Sequence, residues 1–303
     1  MTQQEQQNTE QSKKTKPKKG LHPKEIIDAL LFAGLVALFL KIFIIEAYKI
    51  PSGSMENTLL VGDFLLVNKI VYGATTPRNI PFTDIRIPYF RFPSFSEPHH
   101  GDVVVFDFPG YRDEPQSKDV VNYIKRLIGE PGDTVLIRNR VVYVNGNIVP
   151  NAPDALIDKE GMKDTNSAEA KIFPRGSKWN EDNYGPLVVP KKGDLVKINK
   201  DNFPMWDLFI KREGHNCRIA SDGKVFIDEI PVSEYKVEKN YYFMLGDHRT
   251  NSLDSRFWGF MPRENVVGEA LIIYWSWNPE IQFSRLGELI NSIRWNRIGK
   301  VIH

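Results

Sequence analysis

The sequence predicts a mainly β protein, in which an antiparallel β core with a smaller inserted β subdomain follows an N-terminal transmembrane helix. Three observations favour this fold class. Residues 26–45 form an apolar stretch long enough for one membrane-spanning helix. Beyond it, short β-rich runs alternate with turn signals. Helical periodicity is scarce there, apart from a weak basic stretch at residues 285–300.

The amino-acid composition narrows the class of protein. The chain has 303 residues and is 41% hydrophobic, which is enough to bury a sizeable core. Its net charge of +2 argues against a protein that binds nucleic acid over its whole surface. Cys217 is the single cysteine, so the sequence excludes both an intramolecular disulfide and a thiolate metal cluster.

The N-terminal residues define the expected topology. Residues 1–24 are polar and carry a run of lysines, and we predict a basic, disordered cytoplasmic tail. Residues 25–46 are predicted to span the membrane, because the stretch is apolar on all sides and Lys41 lies close enough to its end to reach the headgroups. The lysine-rich flank predicts a cytoplasmic N-terminus, with the remaining chain on the other side.

Three alternatives exist for this apolar stretch: a buried core helix, a helix at the membrane interface and a cleaved signal peptide. The signal peptide fits poorly, because Glu46-Ala47-Tyr48 does not provide the small residues of a cleavage site. We therefore expect a single, uncleaved membrane anchor.

The chain beyond the anchor is predicted to fold into strands. Seven runs have a strand-like composition, at residues 64–67, 103–108, 134–137, 141–144, 224–227, 241–245 and 270–274. We assign residues 47–147 and 236–303 to the β core. Residues 148–235 are assigned to the inserted subdomain, because they have mixed polarity and several glycine and proline breaks. Residues 74–100, rich in proline, phenylalanine and arginine, also look inserted.

A serine-containing turn, IPSGSM at residues 50–55, lies directly beyond the anchor. Pro51 and Gly53 favour a turn that exposes the hydroxyl of Ser54 beside backbone N–H groups, and such donors form an oxyanion hole. The same composition is ordinary for a structural turn. On local sequence alone, Ser54 is a candidate nucleophile and a plain turn is the alternative.

A lysine lies within the apolar, strand-like run NYIKRLIG at residues 122–129. Strand alternation places Lys125 on the same face as Tyr123 and Leu127. If that face is buried, loss of solvation lowers the lysine pKa toward neutrality, and a neutral amine can take a proton from a serine. The alternative is a charged lysine on a surface strand.

The polar segment GDHRTNSLDSRFWG, residues 246–259, follows an apolar run and suggests either a hydrogen-bonded brace or a solvated loop. His248 raises the possibility of a Ser-His-Asp triad, but no G-x-S-x-G motif is present. His99-His100 lacks the spacing of metal ligands. We therefore favour a Ser-Lys dyad and expect no metal and no cofactor.

Taken in order, these segments resemble the sequence boxes of bacterial type I signal peptidase, also called leader peptidase. That family has a membrane anchor, a PSxSM-type box, a strand led by Gly-Asp, a YIKR…GxPGD box and a GDNRDNSxDSRxWG box. The matching segments here are residues 51–63, 101–106, 123–133 and 246–259. The family's mainly antiparallel β core with an inserted β domain agrees with the strand pattern.

The resemblance implies two catalytic residues, one oxyanion-hole residue and a supporting serine. Ser54 matches the nucleophile and Lys125 the general base. Ser52 matches the hydroxyl that completes the oxyanion hole, and Ser252 matches the serine that orients the lysine amine.

The resemblance also implies supporting and substrate-binding residues. Asp254 and Arg256 match a supporting ion pair, and Asp247 is the carboxylate beside it. The residues that match the walls of the substrate groove are Ile50, Pro51, Tyr123 and Ile124.

The implied activity is that of a membrane-bound serine endopeptidase. It removes signal peptides from exported preproteins through an acyl-enzyme and cuts after small-x-small motifs. The implied location is the bacterial inner (cytoplasmic) membrane, with the catalytic domain on the outer, periplasmic side. Membrane lipid is the second expected partner, contacted by aromatic residues within 80–93 and by Trp275, Trp277 and Trp295, for which core packing is the alternative.

Two other functions compete with this interpretation. A self-cleaving repressor-type protease shares the Ser-Lys chemistry but needs a DNA-binding helix-turn-helix where this chain has an apolar segment. A non-enzymatic, membrane-anchored envelope binding protein needs none of Ser52, Ser54 and Lys125.

The chain departs from the family pattern in two respects. His248 and Thr250 stand where the family has asparagine and aspartate, and a titrating imidazole at 248 predicts some pH sensitivity of the activity. Some family members have two membrane spans, whereas one is expected here.

Overall fold

The computed structural model describes residues 23–77, 85, 87–118, 121–158, 160–282 and 284–303. Most of the predicted basic tail, and part of the aromatic segment at 80–93, lie outside the described residues. The chain divides into two units, Met1–Leu40 and Lys41–His303.

The N-terminal helix α1, Pro23–Phe43, has 21 residues and none of them is buried. By length and composition it is able to cross a membrane. The predicted span of 25–46 extends too far at its C-terminal end, because Ile45 and Glu46 belong to a strand. These residues are held in the sheet by pairing with a neighbouring strand. Glu46 also forms an ion pair with Lys69 at 3.1 Å.

Sixteen strands follow in the described part of the chain. They are β1 Ile45–Lys49, β2 Asp63–Asn68, β3 Val103–Asp107, β4 Asn122–Gly129, β5 Thr134–Arg138, β6 Val141–Val144, β7 Asn147–Ile148, β8 Tyr184–Val188, β9 Leu195–Lys197, β10 Cys217–Ile219, β11 Val225–Ile227, β12 Ile230–Val232, β13 Glu234–Lys236, β14 Tyr241–Leu245, β15 Met261–Pro262 and β16 Val266–Ser276. All seven runs predicted from the sequence contain a strand, which confirms the mainly β class.

The main sheet has seven antiparallel strands in the order β1-β2-β16-β3-β4-β14-β15. Strand β14 is buried along its whole length. Its Tyr242 and Met244 join one apolar cluster, while Phe243 and Leu245 join another. A strand that is covered on both faces reads as a continuous apolar run, which is what YYFML shows.

Three smaller sheets lie between β4 and β14 in the sequence, ordered β7-β6-β5-β8, β10-β11-β12 and β13-β9. The sequence assigned β5 and β6 to the core. Strand β5 pairs with β6 and β8, and β6 pairs with β5 and β7, so neither joins the seven-stranded sheet. The limits of the inserted subdomain, 148–235, stay a prediction, but this pairing favours a start near Thr134.

Beyond α1, the described residues form three further α-helices, α2 Phe203–Arg212, α3 Ser255–Trp258 and α4 Leu286–Asn291. The sequence did not predict α2. It is ten residues long and is held by the burial of Phe209 and Ile210 in the apolar cluster of the smaller sheets. Tertiary packing, more than helix propensity, stabilises a helix of this length.

Candidate functional site

The turn that carries Ser54 is a short 3-10 helix, Gly53–Met55, beyond the end of β1. Ser52 precedes it in an extended conformation, with φ −136° and ψ 157°. Met55 is fully buried beside Ile50 and Leu59 in an apolar cluster under the main sheet. This apolar side chain fixes the turn, so that Ser54 is held in place while its neighbours Ser52 and Gly53 remain accessible.

Lys125 lies on β4, between β3 and β14, and only 4% of it is exposed. Its Nζ donates hydrogen bonds to Ser54 Oγ at 2.7 Å and to the carbonyl oxygen of Ile124 at 2.9 Å. Burial lowers the pKa of Lys125 to about 8, while the charges of Asp254 and Asp247 act in the opposite direction. Lys125 is thus buried next to a serine hydroxyl, as the first of the two sequence interpretations required.

Residues 246–259 are hereafter called the polar loop. Its Asp247 connects this loop with β4, the strand of Lys125, and with the residues that follow the serine turn. Its carboxylate accepts two hydrogen bonds from Arg126, at 2.8 and 2.7 Å, and one from the hydroxyl of Thr58 at 2.6 Å. All three side chains are buried. Sequence reasoning missed Arg126 and Thr58 as site residues, although Arg126 stands next to Lys125 and an arginine buried in a strand needs a carboxylate partner.

Asp254 and Arg256 form a fully buried ion pair with two hydrogen bonds, at 2.8 and 2.7 Å. Burial alone would raise the pKa of the Asp254 carboxyl, but the charge and hydrogen bonds of Arg256 hold it below its usual range. Asp254 also accepts from the N–H of Gly246 at 3.1 Å and caps α3. The pair therefore joins both ends of the polar loop.

Replacing Arg256 with methionine should destabilise the fold by about 3–5 kcal/mol, because it leaves the Asp254 carboxylate buried without its cation. Denaturant unfolding measures this change. Arg218→Met is the matched control, since Arg218 and Glu229 form an exposed pair at 2.7 Å, and the loss of an exposed pair should change the free energy of unfolding much less. Equal losses for the two variants would contradict the structural role given to Arg256.

Ser252 and the serine turn both lie against Gly246. A methyl group on Gly246 would meet Ser252 Oγ at 2.2 Å and the carbonyl oxygen of Ser54 at 2.6 Å, so only glycine fits there. The Ser252 hydroxyl is buried and helps to lower the pKa of Asp254, yet within the part of the chain that the structure describes it makes no hydrogen bond of good geometry. Among the described residues, Lys125 Nζ bonds Ser54 and Ile124 and not Ser252, so an orienting role for Ser252 stays a prediction.

The two residues that depart from the family pattern both have acidic neighbours. His248 Nδ1 lies 3.1 Å from Glu56 Oε2, and the His248 N–H donates to the carbonyl oxygen of Ser54 at 3.1 Å. The hydroxyl of Thr250 donates to Asp158. Neither pair is evident from the sequence, because the partners are distant along the chain.

A cavity of about 390 Å³ opens in front of Ser54. Its lining residues come from the serine turn, β4 and the polar loop, and they are Pro51, Ser52, Gly53, Ser54, Val121, Asn122, Tyr123, Ile124, Lys125, Asn251 and Leu253. Ile50, which the resemblance places in the wall, is buried in the apolar cluster beneath.

The arrangement supplies the parts of a nucleophilic hydrolase. It has a hydroxyl within hydrogen-bonding distance of an amine whose pKa is close to neutral, and an open cavity in front of both. Within the described ranges, no three histidine, cysteine or acidic side chains are grouped so as to hold a metal ion.

Comparison with known proteins gives consistent matches. Residues 23–275 match the model of a family described as signal peptidase, peptidase S26. A signal peptidase I from Aquifex aeolicus is 33% identical over 266 residues, 84% of each chain. One from Buchnera aphidicola subsp. Schizaphis graminum is 32% identical, over 88% of this chain and 78% of that protein. One from Rickettsia conorii is 30% identical, over 95% and 96% respectively.

Proposed function

The chain belongs to the signal peptidase family, peptidase S26, and is a signal peptidase; we propose that it cuts signal peptides from exported preproteins with Ser54 as nucleophile and Lys125 as general base. The observation that carries this proposal is the 2.7 Å contact between the buried Lys125 amine and the Ser54 hydroxyl. A charged surface lysine, the alternative, is incompatible with its burial.

The reaction proceeds by acyl transfer. Neutral Lys125 takes the proton of Ser54 as Oγ bonds to the carbonyl carbon of the substrate. The protonated lysine then donates to the leaving amine, the C–N bond breaks and an ester to Ser54 remains. Water attacks this ester with its proton passing to Lys125, and the acid product leaves as Ser54 regains its proton.

The oxyanion formed in each step is stabilised by the Ser54 N–H and the Ser52 hydroxyl. Ser52 lines the cavity directly before the turn, which supports this role. Donors held in place before the reaction lower the barrier without reorganisation.

The remaining site residues position the dyad and the substrate. Asp254, Arg256 and Asp247 hold the polar loop against the serine turn and β4, and Ser252 orients the lysine amine. Pro51, Tyr123 and Ile124 form the groove wall, and Ile50 supports it from below.

Helix α1 anchors the enzyme in the inner membrane, with its lysine-rich end in the cytoplasm and the catalytic domain on the periplasmic side. Exposed aromatic side chains, including Phe90, Phe92 and Trp295, support contact with lipid. Trp275 lies edge-on to Trp277 and Trp295 at ring distances near 6 Å. Enzyme and precursor in one bilayer have a raised effective concentration.

A membrane-inserted precursor with an Ala-x-Ala site should be cut after the second alanine. Precursors with leucine at either alanine position should be cut at least about tenfold more slowly, because a shallow pocket rejects added volume. N-terminal sequencing of the mature product identifies the cut. A precursor that stays intact with purified, folded enzyme would instead favour the non-enzymatic envelope binding protein.

A further inference from the structure

The segment 149–158, hereafter the strap, lies along the polar loop outside the catalytic pair. The N–H of Leu156 donates to the carbonyl oxygen of Asp247 at 3.0 Å, and the N–H of Arg249 donates to that of Leu156 at 3.1 Å. Leu156 and His248 thereby form a parallel β-bridge. The strap is thus hydrogen-bonded through its backbone to the residues that follow Gly246.

Two side-chain contacts add to this bridge. Arg249 Nη2 donates to Asn151 Oδ1 at 3.3 Å, and the hydroxyl of Thr250 donates to Asp158. The Thr250 contact occurs at one of the two positions where the loop departs from the family pattern. An aspartate at 250 would face the Asp158 carboxylate, so threonine is the residue compatible with this strap.

The strap is fixed independently at its C-terminal end and near its middle. Arg140, which is buried, donates to the carbonyl oxygen of Asp158 and forms an ion pair with Asp182 at 2.6 Å. Asp154 forms an ion pair with Lys300 at 2.6 Å. The position of the strap is therefore fixed by contacts outside the polar loop, and the polar loop packs against it.

The loop residues that the strap contacts lead directly to the dyad. The N–H of His248 donates to the carbonyl oxygen of Ser54, and the carboxylate of Asp247 binds Arg126, the neighbour of Lys125. A displacement of the loop would move the serine turn and β4 relative to each other. Catalysis of this kind is sensitive to such shifts, because nucleophile and base must stay within hydrogen-bonding reach.

We propose that the strap is a positioning element of the active site, and that Thr250 and Asp158 are a matched pair through which it holds the polar loop. This inference rests on the proposed Ser-Lys function. It gives the otherwise unassigned segment 149–158 a role in turnover, and it explains why threonine stands at position 250.

The test is a charge reversal and its rescue in the full-length enzyme. Thr250→Asp should lower kcat by about two- to fivefold, the range of an exposed like-charge pair, with KM unchanged because the pair does not line the cavity. Raising the salt concentration should recover the lost activity, since exposed charges are screened. Asp158→Asn should restore kcat in the Thr250→Asp background and change little on its own.

Thr165→Asp is the matched control, because Thr165 also contacts an aspartate, Asp164 at 3.2 Å, in an exposed turn. It should leave kcat and KM unchanged. The proposal is overturned if Thr165→Asp costs as much as Thr250→Asp, if Asp158→Asn gives no rescue, or if the loss follows a lower melting temperature. Wild-type turnover that does not depend on Ser54 would refute the proposed function itself, which separates the two failures.

Discussion

Ser54→Ala and Lys125→Met should each lower kcat for precursor cleavage by at least about a thousandfold. The first removes the atom that attacks the carbonyl. The second removes the amine that takes its proton, and no other base is in hydrogen-bond contact with Ser54 Oγ among the described residues. Because the two groups act as one unit, the double variant should be no slower than the worse single variant. Cleavage of a labelled precursor, followed over hours, measures these rates.

Folding controls separate lost chemistry from lost structure. In the folded protein the pKa of Lys125 is about 8, below its usual 10.5. At neutral pH the lysine is therefore charged in both the folded and the unfolded protein, so burying the charge lowers the free energy of unfolding by its full amount. This destabilisation decreases as the pH rises from the folded pKa toward the unfolded pKa. Lys125→Met should thus melt no lower than wild type at pH 7. Lys69→Met, at another buried lysine, should retain activity, and its inactivation would contradict a specific role for Lys125.

Cleavage should rise with pH, reach half of its maximum near pH 8 and level off above that pH. Only the neutral amine accepts the serine proton, and below the pKa of Lys125 its neutral fraction falls about tenfold for each pH unit. The pKa is near 8 because the amine is buried, despite two nearby carboxylates. At pH 6 we therefore expect about one hundredth of the maximal kcat/KM. Initial rates between pH 5.5 and 9.5 at constant ionic strength measure the profile.

A flat profile, or a rising limb centred near pH 10, would contradict a neutral buried lysine as base. Melting temperatures over the same pH range identify any loss that is due to unfolding. His248→Asn separates the contribution of the imidazole, because it restores the family residue while leaving Lys125 in place. A limb near pH 8 that persists in this variant belongs to Lys125.

The sequence predicted those parts of the fold that have a local signal. The long apolar stretch of α1 is a local signal of a helix that can cross a membrane, and the β-branched runs of strands such as β3 and β16 are a local signal of buried strands. The end of α1 was misplaced because no local signal at Ile45 and Glu46 separates the last turn of a helix from the start of a strand. The tertiary pairing with β2 decides between the two. Helix α2 was missed for the same reason, since the burial of Phe209 depends on tertiary packing against the rings of Tyr241 and Phe260.

The site was predicted only in part, and the missing parts depend on long-range contacts. A serine at 54 and a lysine at 125 suggest a dyad, but their distance of 2.7 Å follows from the packing of β4 and the buried Met55. Thr58 and Arg126 converge on Asp247 from separate segments, and no local pattern marks such a convergence. The strap and its contact with Thr250 lie within a segment whose sequence carries no recognisable motif.

The most direct test of the account is to locate the acyl group on the enzyme. An activated ester of an Ala-x-Ala peptide acid should acylate the protein, and acid quenching followed by digestion and mass spectrometry locates the adduct. The account predicts an adduct on Ser54 that forms in wild type and fails to form in Lys125→Met. An adduct on Ser52, on Lys125 or on another residue, or product formation with no adduct on Ser54, would contradict it.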